Sequence, residues 1–429
     1  MATRWTATSL AVAAFAVGYL VADQQSTIHG QSGPRPGGGF SAVPASIGSL
    51  DVTGPYDVVA DWPKDISTLP GNEKWTWGAG QGVFAESPDR VYYVQRGQLP
   101  VLPPVKGPGT ALPQIAPNLS FPVMGLMRNA TQASPPGALE VNGKPGDDSD
   151  AGKAGVDFLW ENCIVVIDRN GNIIETWKQW DKMLRRPHSV YISPYDPQKN
   201  VWVVDDYRHA IFKFTNDGKK LLQTIGVPNE HASDDKHFYR PTFMAWQPDG
   251  SFYVSDGYAN TRVVKFDKDG KYLLSWGERG NPPNETRPNY MNNVHGVSVD
   301  PMTRQVYVND RNNRRIQVFD ENGKFLRMFS VAAGANLHFV HIDADRRLWV
   351  FDNVSQKLAQ YDLEGRLVYA WGSLGSFAGA LWGVHGISVD QEQNLYLAAV
   401  GRGGVQKFRP RQGANPAYLV GKHVYSAWK

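Results

Sequence analysis

From residue 188 onward, apolar and polar positions alternate in short runs separated by turn residues, the pattern of half-buried strands. Five such runs open comparable units: HSVYIS at His188, TFMAWQ at Thr242, HGVSVD at His295, HIDAD at His341 and HGISVD at His385. Each is followed by a second strand (VWVVDD, SFYVSDG, QVYVND, RLWVFD, LYLAAV) and a third (IFKF, RVVKF, RIQVF, LAQY, VQKF). In four units an Asp-Gly, Asn-Gly or Glu-Gly turn then leads to a fourth strand, as in LLQTIG or LVYAWG. Four strands recurring about every 44–54 residues predict the blades of a β-propeller.

An earlier unit brings the number of blades to six. GVFAES and RVYYVQ supply its first two strands, and NCIVVID and GNIIETW its last two, across a Pro- and Gly-rich insertion at about 99–155. An insertion of that length is expected to be disordered or to form a lid. YDVVADW near Tyr56 has no partner in this count, while the last blade stops after three strands near Phe408. The N-terminal strand is therefore expected to complete the last blade and remove the open sheet edges. The propeller spans 51–410, with 411–429 an unassigned tail. Ahead of it, Arg4 and the apolar run Leu10 to Ala22 read as an export signal or N-terminal anchor over 1–22, and polar residues 23–50 as a flexible linker. These features predict a secreted or periplasmic protein, membrane-attached only if the segment is not cleaved.

Charge and cysteine content narrow the chemistry. Lys+Arg total 44 and Asp+Glu 41, a net charge of +3, which argues against a dedicated nucleic-acid binder. With Cys163 alone, no intrachain disulfide and no thiolate zinc cluster can form. The 10 histidines become the main pool of transition-metal ligands.

Four of them, His188, His295, His341 and His385, occupy the entry to the first strand of their blades, the strand that lines a propeller's central channel. His188, His295 and His385 belong to alternate blades 2, 4 and 6. Three imidazoles so placed can converge on one ion and leave a position open for water or substrate. His341 breaks that alternation, and His209, His231 and His237 are expected in exposed turns. From the Asp ending the second strand to the third-strand aromatic, blade 3 (Asp256 to Phe266) is one residue longer than blades 2, 4 and 5 (Asp205 to Phe214, Asp310 to Phe319, Asp352 to Tyr361). The extra residue falls in DGYANTR and could push Tyr258 over the channel mouth. The four turn aspartates read as caps for backbone N–H groups. Arg96 and Arg311 follow the second strands of blades 1 and 4 on the same rim, where two cations beside a metal would suit an anionic substrate.

VYYVQRG, RPHSVYI, RPTFMAWQPDGSFYVSDGYANTRVVKF, VHGVSVD, NDRNNRRIQVF and VHGISVD resemble the NHL-type six-bladed propellers, and among them the peptidyl-α-hydroxyglycine α-amidating lyases. The resemblance runs from roughly Tyr56 to Phe408, apart from the insertion. It implies zinc on His188, His295 and His385, Tyr258 as base, Arg96 and Arg311 flanking the reacting group, and cleavage of an N-acyl carbinolamine to an amide and glyoxylate. A calcium site using the backbone carbonyls of Val83 and Val190 is implied too, but its carboxylate is replaced by Gly386. The family's blade-3 disulfide positions hold Tyr239 and Ala259, and a family methionine is Gly383. On these residues the chain reads as a zinc-dependent lyase for a small-molecule or peptide substrate. The alternatives are a non-catalytic NHL propeller binding a protein, peptide or glycan, and, ranked last, a calcium-dependent lactonase-like propeller.

Overall fold

The computed structural model describes residues 52–102, 128–135, 140–141, 144–145, 152–332, 334–425 and 427. The expected export segment, the linker and most of the insertion lie outside the described residues. No helix among the described residues is long and apolar enough to cross a membrane.

The alternating runs form six four-stranded antiparallel blades arranged as a propeller. The innermost strands are Gly80–Ser87, Pro187–Ile192, Pro241–Trp246, Val294–Val299, Leu337–Ile342 and Val384–Val389 for blades 1 to 6. Second and third strands are buried on both faces because each blade packs against two neighbours; Val201–Asp205, Phe252–Asp256 and Val306–Asp310 are buried throughout. The outermost strands meet water, and Phe325–Ser330 alternates half-buried with exposed. Six apolar clusters fill the six interfaces between blades. Between blades 2 and 3, for example, Trp202, Val204 and Ile211 meet Met244, Phe252 and Val254. Burying each such large side chain contributes about 1.5–3 kcal/mol.

The ring closes as the unpaired N-terminal strand predicted. Tyr56–Val58 pairs antiparallel with Val405–Pro410, Tyr56 opposite Pro410 and Val58 opposite Phe408. Part of the insertion is also placed. The helical turn Ala130–Ala133 docks at the rim between blades 1 and 6, Ala130 donating to the Gly401 carbonyl (2.8 Å) and Ala79 donating to Ser134 Oγ (3.1 Å).

The tail, which has no repeat pattern, crosses the face opposite that rim. Val420 N–H donates to Tyr56 Oη (2.8 Å), Gly421 N–H to Asp343 Oδ2 (2.7 Å) and Ala344 N–H to the Lys422 carbonyl (2.9 Å). His423 then enters the channel and stacks on Phe84, with centroids 5.2 Å apart. Its Nε2 accepts from the Ser388 hydroxyl (2.8 Å) and the Val389 N–H (3.3 Å). The tail thereby ties blades 5, 6 and 1. Removing residues 419–429 uncovers the burial sites of Leu419 and Val420, which are 5% and 0% exposed. A chain ending at Tyr418 is expected to lose about 3 kcal/mol of stability, read as a lower denaturation midpoint. An unchanged midpoint would show that the tail contributes nothing to the fold.

Candidate metal centre

In blades 2 to 5 the innermost strand enters the channel after a loop pinned by an aspartate at the end of the second strand. Asp205 accepts from the backbone N–H groups of Arg185 (2.7 Å) and Arg186 (2.9 Å), Asp256 from Tyr239 (2.8 Å), Asp310 from Asn292 (2.8 Å) and Asp352 from Asn336 (2.8 Å). These turn aspartates thus cap backbone groups, as their positions suggested, and fix where each entry residue stands. Pro187 opposite Asp205, Val294 opposite Asp310 and Leu337 opposite Asp352 are matching register pairs. The residues following them, His188, His295 and His338, therefore occupy equivalent slots.

This register corrects one expectation. In blade 5 the slot belongs to His338, not His341. His341 lies three residues further along the strand, its ring 5.1 Å from that of His423 and its Nε2 buried without a partner. The recurring word is an apolar residue or Pro, then His, any residue, then Val or Ile: PHSV, VHGV, LHFV, VHGI. Aligning on HID instead of LHFV shifted the slot. His209 is a second correction: it is buried, and its Nδ1 accepts from the Arg240 N–H (3.2 Å).

The ring nitrogens of His188, His295 and His385 lie within 4.8 Å of one another. Each Nδ1 bonds a carbonyl of the next blade: His188 to Thr242 (2.9 Å), His295 to His338 (2.7 Å) and His385 to Gln81 (2.7 Å). A carbonyl only accepts, so each Nδ1 carries the proton and each Nε2 presents a lone pair. Burial first, then the nearby Arg96 and Arg186, holds His188 well below the ordinary histidine range. Burial and Arg311 do the same for His295, and burial and His188 for His385. All three are therefore neutral at physiological pH, the form able to bind a metal.

Tyr258 stands against them. Its hydroxyl is 3.1 Å from His188 Nε2 and 2.7 Å from His295 Nε2. One hydroxyl has one proton and can satisfy one of those nitrogens. The other contact sets lone pair against lone pair unless a cation intervenes. This donor set, three neutral imidazoles in a buried site, suits a zinc-like divalent ion with an open position. The longer blade-3 turn does bring Tyr258 to the channel, held by backbone bonds from Tyr258 N–H to the Arg240 carbonyl and from Asn260 N–H to the Tyr239 carbonyl (3.3 Å each). Tyr239 is stacked by His231, with centroids 3.9 Å apart.

Phe243 forms an apolar floor, its ring 5.1, 5.4 and 5.3 Å from those of His188, His295 and His385. Beneath it lies a cavity of about 140 Å³ lined by Val190, Tyr191, His341 and His423 among others, with no arginine in its wall. The cationic groups stand on the opposite side. Arg311, Arg240 and Arg186 approach the Tyr258 ring at 5.5, 4.7 and 5.9 Å. Arg96 is buried, gives one N–H to Gln81 Oε1 (3.0 Å), and is pushed down to about 9 by burial and by Arg186. Sequence reasoning had singled out Tyr258, Arg96 and Arg311, but not His338, Phe243, Arg186 or Arg240.

The calcium expectation fares differently. A Cβ at Gly386 would come 2.9 Å from Gly82 Cα and 3.0 Å from Val83 N, so the backbones close over the place where a carboxylate would stand. With the carbonyls of Val83 and Val190 as the only other contributors proposed, the residues do not fit a calcium site of six or more oxygens. Millimolar calcium is expected to leave the melting temperature of calcium-free protein unchanged. A saturable rise would contradict this.

No family model matches the chain. It is similar to peptidyl-glycine alpha-amidating monooxygenase A of Xenopus laevis, 34% identical over 40% of this chain and 18% of that protein. It is also similar to peptidyl-alpha-hydroxyglycine alpha-amidating lyase 1 of Drosophila melanogaster, 34% identical over 32% of this chain and 26% of the other. NHL repeat-containing protein 3 of Mus musculus is 29% identical over 37% of the chain and 45% of its own length. The matched segment spans less than a fifth of the amidating monooxygenases.

Proposed function

We propose that this protein is an exported, zinc-dependent lyase that cleaves the C–N bond of an N-acyl carbinolamine, releasing an amide and glyoxylate. The observation that carries the reading is the convergence of three imidazole lone pairs within 4.8 Å of one another, two of them against the Tyr258 hydroxyl, beside a cluster of arginines. Relatives named for lyase action on peptidyl-α-hydroxyglycine support the reaction class and a peptide or small acyl group on nitrogen. The Arg4 and Leu10–Ala22 pattern supports export. A purely binding propeller would leave the inward lone pairs and the buried guanidinium N–H groups without a use.

His188, His295 and His385 would hold the zinc, which when bound acts as a Lewis acid on the substrate hydroxyl. The chain's own residues supply the rest. Tyr258 would act as the phenolate, its own proton having gone to solvent: its oxygen takes the substrate hydroxyl proton, and the O–H electrons form the new C=O. The C–N pair leaves with the nitrogen, to which the Tyr258 phenol returns that proton, giving the primary amide and restoring the phenolate. Arg96 and Arg311 carry the carboxylate beside the reacting carbon and offset negative charge as it develops. Phe243 would present an apolar floor to the reacting atoms.

The test is glyoxylate release from N-benzoyl-α-hydroxyglycine by zinc-loaded protein, against the same protein after chelation and after zinc is restored. Turnover that follows zinc content supports the proposal. Turnover indifferent to the metal, or none in protein carrying one zinc per chain, defeats it.

A further inference from the structure

The mouth of the metal centre holds more cationic donors than one carboxylate can use. A carboxylate has two oxygens and is engaged bidentately by one guanidinium, or shared between two. Arg96 and Arg311 suffice for that. Each keeps a buried Nε with no acceptor in the protein. Arg186 and Arg240 are then in excess.

They are placed alike. Arg186 precedes His188 by two residues and Arg240 precedes Thr242 by two residues, so both occupy the entry loops of adjacent blades and flank Tyr258. Both also lie over the Tyr207 ring, at 4.5 and 4.7 Å from its centroid. They share one counter-charge, Asp206, which is fully buried. Arg240 reaches Asp206 Oδ2 through Nε (3.1 Å) and Nη2 (2.8 Å). Arg186 Nε is 3.1 Å from Oδ1 but out of hydrogen-bonding alignment, and both atoms lack a bonded partner. Two cations against one carboxylate leave a net positive charge beside a site that already carries Arg96, Arg311 and, when loaded, a divalent metal. Their side chains are 14% and 25% exposed, so this charge is largely withdrawn from water. The withdrawn charge of two guanidinium groups against one carboxylate, with Arg186 Nε–H lacking an aligned acceptor, calls for an anionic ligand group.

We propose that the substrate carries a second carboxylate, on its acyl portion, and that Arg186 and Arg240 recognise it while Arg96 and Arg311 hold the carboxylate on the reacting carbon. The substrate class is thus a dianionic N-acyl-α-hydroxyglycine, such as one acylated by a dicarboxylic acid or an acidic amino acid. This inference rests on the lyase reading for its reaction, but the binding it predicts can be measured apart from turnover.

The experiment compares N-succinyl- with N-butyryl-α-hydroxyglycine, acyl groups of similar length with and without the carboxylate, on the zinc-loaded full chain. The succinyl substrate is expected to show kcat/KM at least about tenfold higher, the worth of one charge-assisted contact. In Arg240→Gln and in Arg186→Gln the succinyl-to-butyryl ratio is expected to fall toward one. A loss that merely disturbed the fold would lower both substrates and leave the ratio. Should one variant fail to fold, the other is read alone. In parallel, N-succinylglycine and N-butyrylglycine, which lack the reacting hydroxyl, are titrated calorimetrically. Equal kcat/KM and equal binding in the unaltered protein, or a ratio that survives both substitutions, overturns the second anion subsite and leaves the lyase standing. Tighter binding of succinylglycine with no turnover of either hydroxyglycine upholds the subsite and overturns the lyase.

Discussion

Replacing His188 by alanine is expected to strip the protein of its metal and, with it, of activity. His188 is one of three imidazoles whose Nε2 lone pairs share the channel, and two remaining ligands on alternate blades cannot enclose a zinc ion. Metal content measured on protein purified without chelator should fall from about one zinc per chain to near zero. Lyase turnover should fall by about 10³-fold or more, as Lewis-acid assistance is lost. His295→Ala and His385→Ala should behave alike. His341→Ala is the control, because that side chain lies beside His423 in the tail-side part of the channel. It should keep both metal and activity. Full zinc and full activity in the His188→Ala protein, with native circular dichroism, would end the assignment of this site.

Tyr258→Phe separates the metal from the proton transfer. Phenylalanine retains the ring that the guanidinium groups of Arg240 and Arg311 approach, and removes only the hydroxyl facing His188 and His295. The zinc content should therefore stay at its original level. Turnover should fall by about 10²–10⁴, the range for removing a positioned general base, with the loss in kcat rather than KM. A variant whose kcat stays within about threefold of the original would assign the proton transfer to another group.

The propeller was legible because its determinants are local and repeated. Two-residue alternation sets each strand, and a strand left unpaired at one end with a blade left short at the other identified the closure between Tyr56–Val58 and Val405–Pro410. The alternate-blade histidines were legible for the same reason, since a repeat converts sequence spacing into angle around an axis. His338 was missed because the motif was aligned on the more regular-looking HID, three residues beyond the slot that the Leu337–Asp352 pairing defines. Arg186 and Arg240 were missed for a different reason. An arginine before a proline at a blade entry looks like any surface arginine, and only the fold shows that both share Asp206 and Tyr207. The tail could not be read at all: its anchors are backbone groups meeting Tyr56, Asp343 and Ser388, contacts that leave no periodic trace.

The closing strand also sets a timetable. Tyr56–Val58 leaves the ribosome roughly 350 residues before the strand that completes its sheet. His385, on the innermost strand of that same sheet, is the last of the three imidazoles to be made. A growing chain can offer all three nitrogens only after residue 385 has been made and the last blade has closed. An ion held there, as proposed, would be acquired late, so the compartment in which the ends meet would decide which metal is available to it.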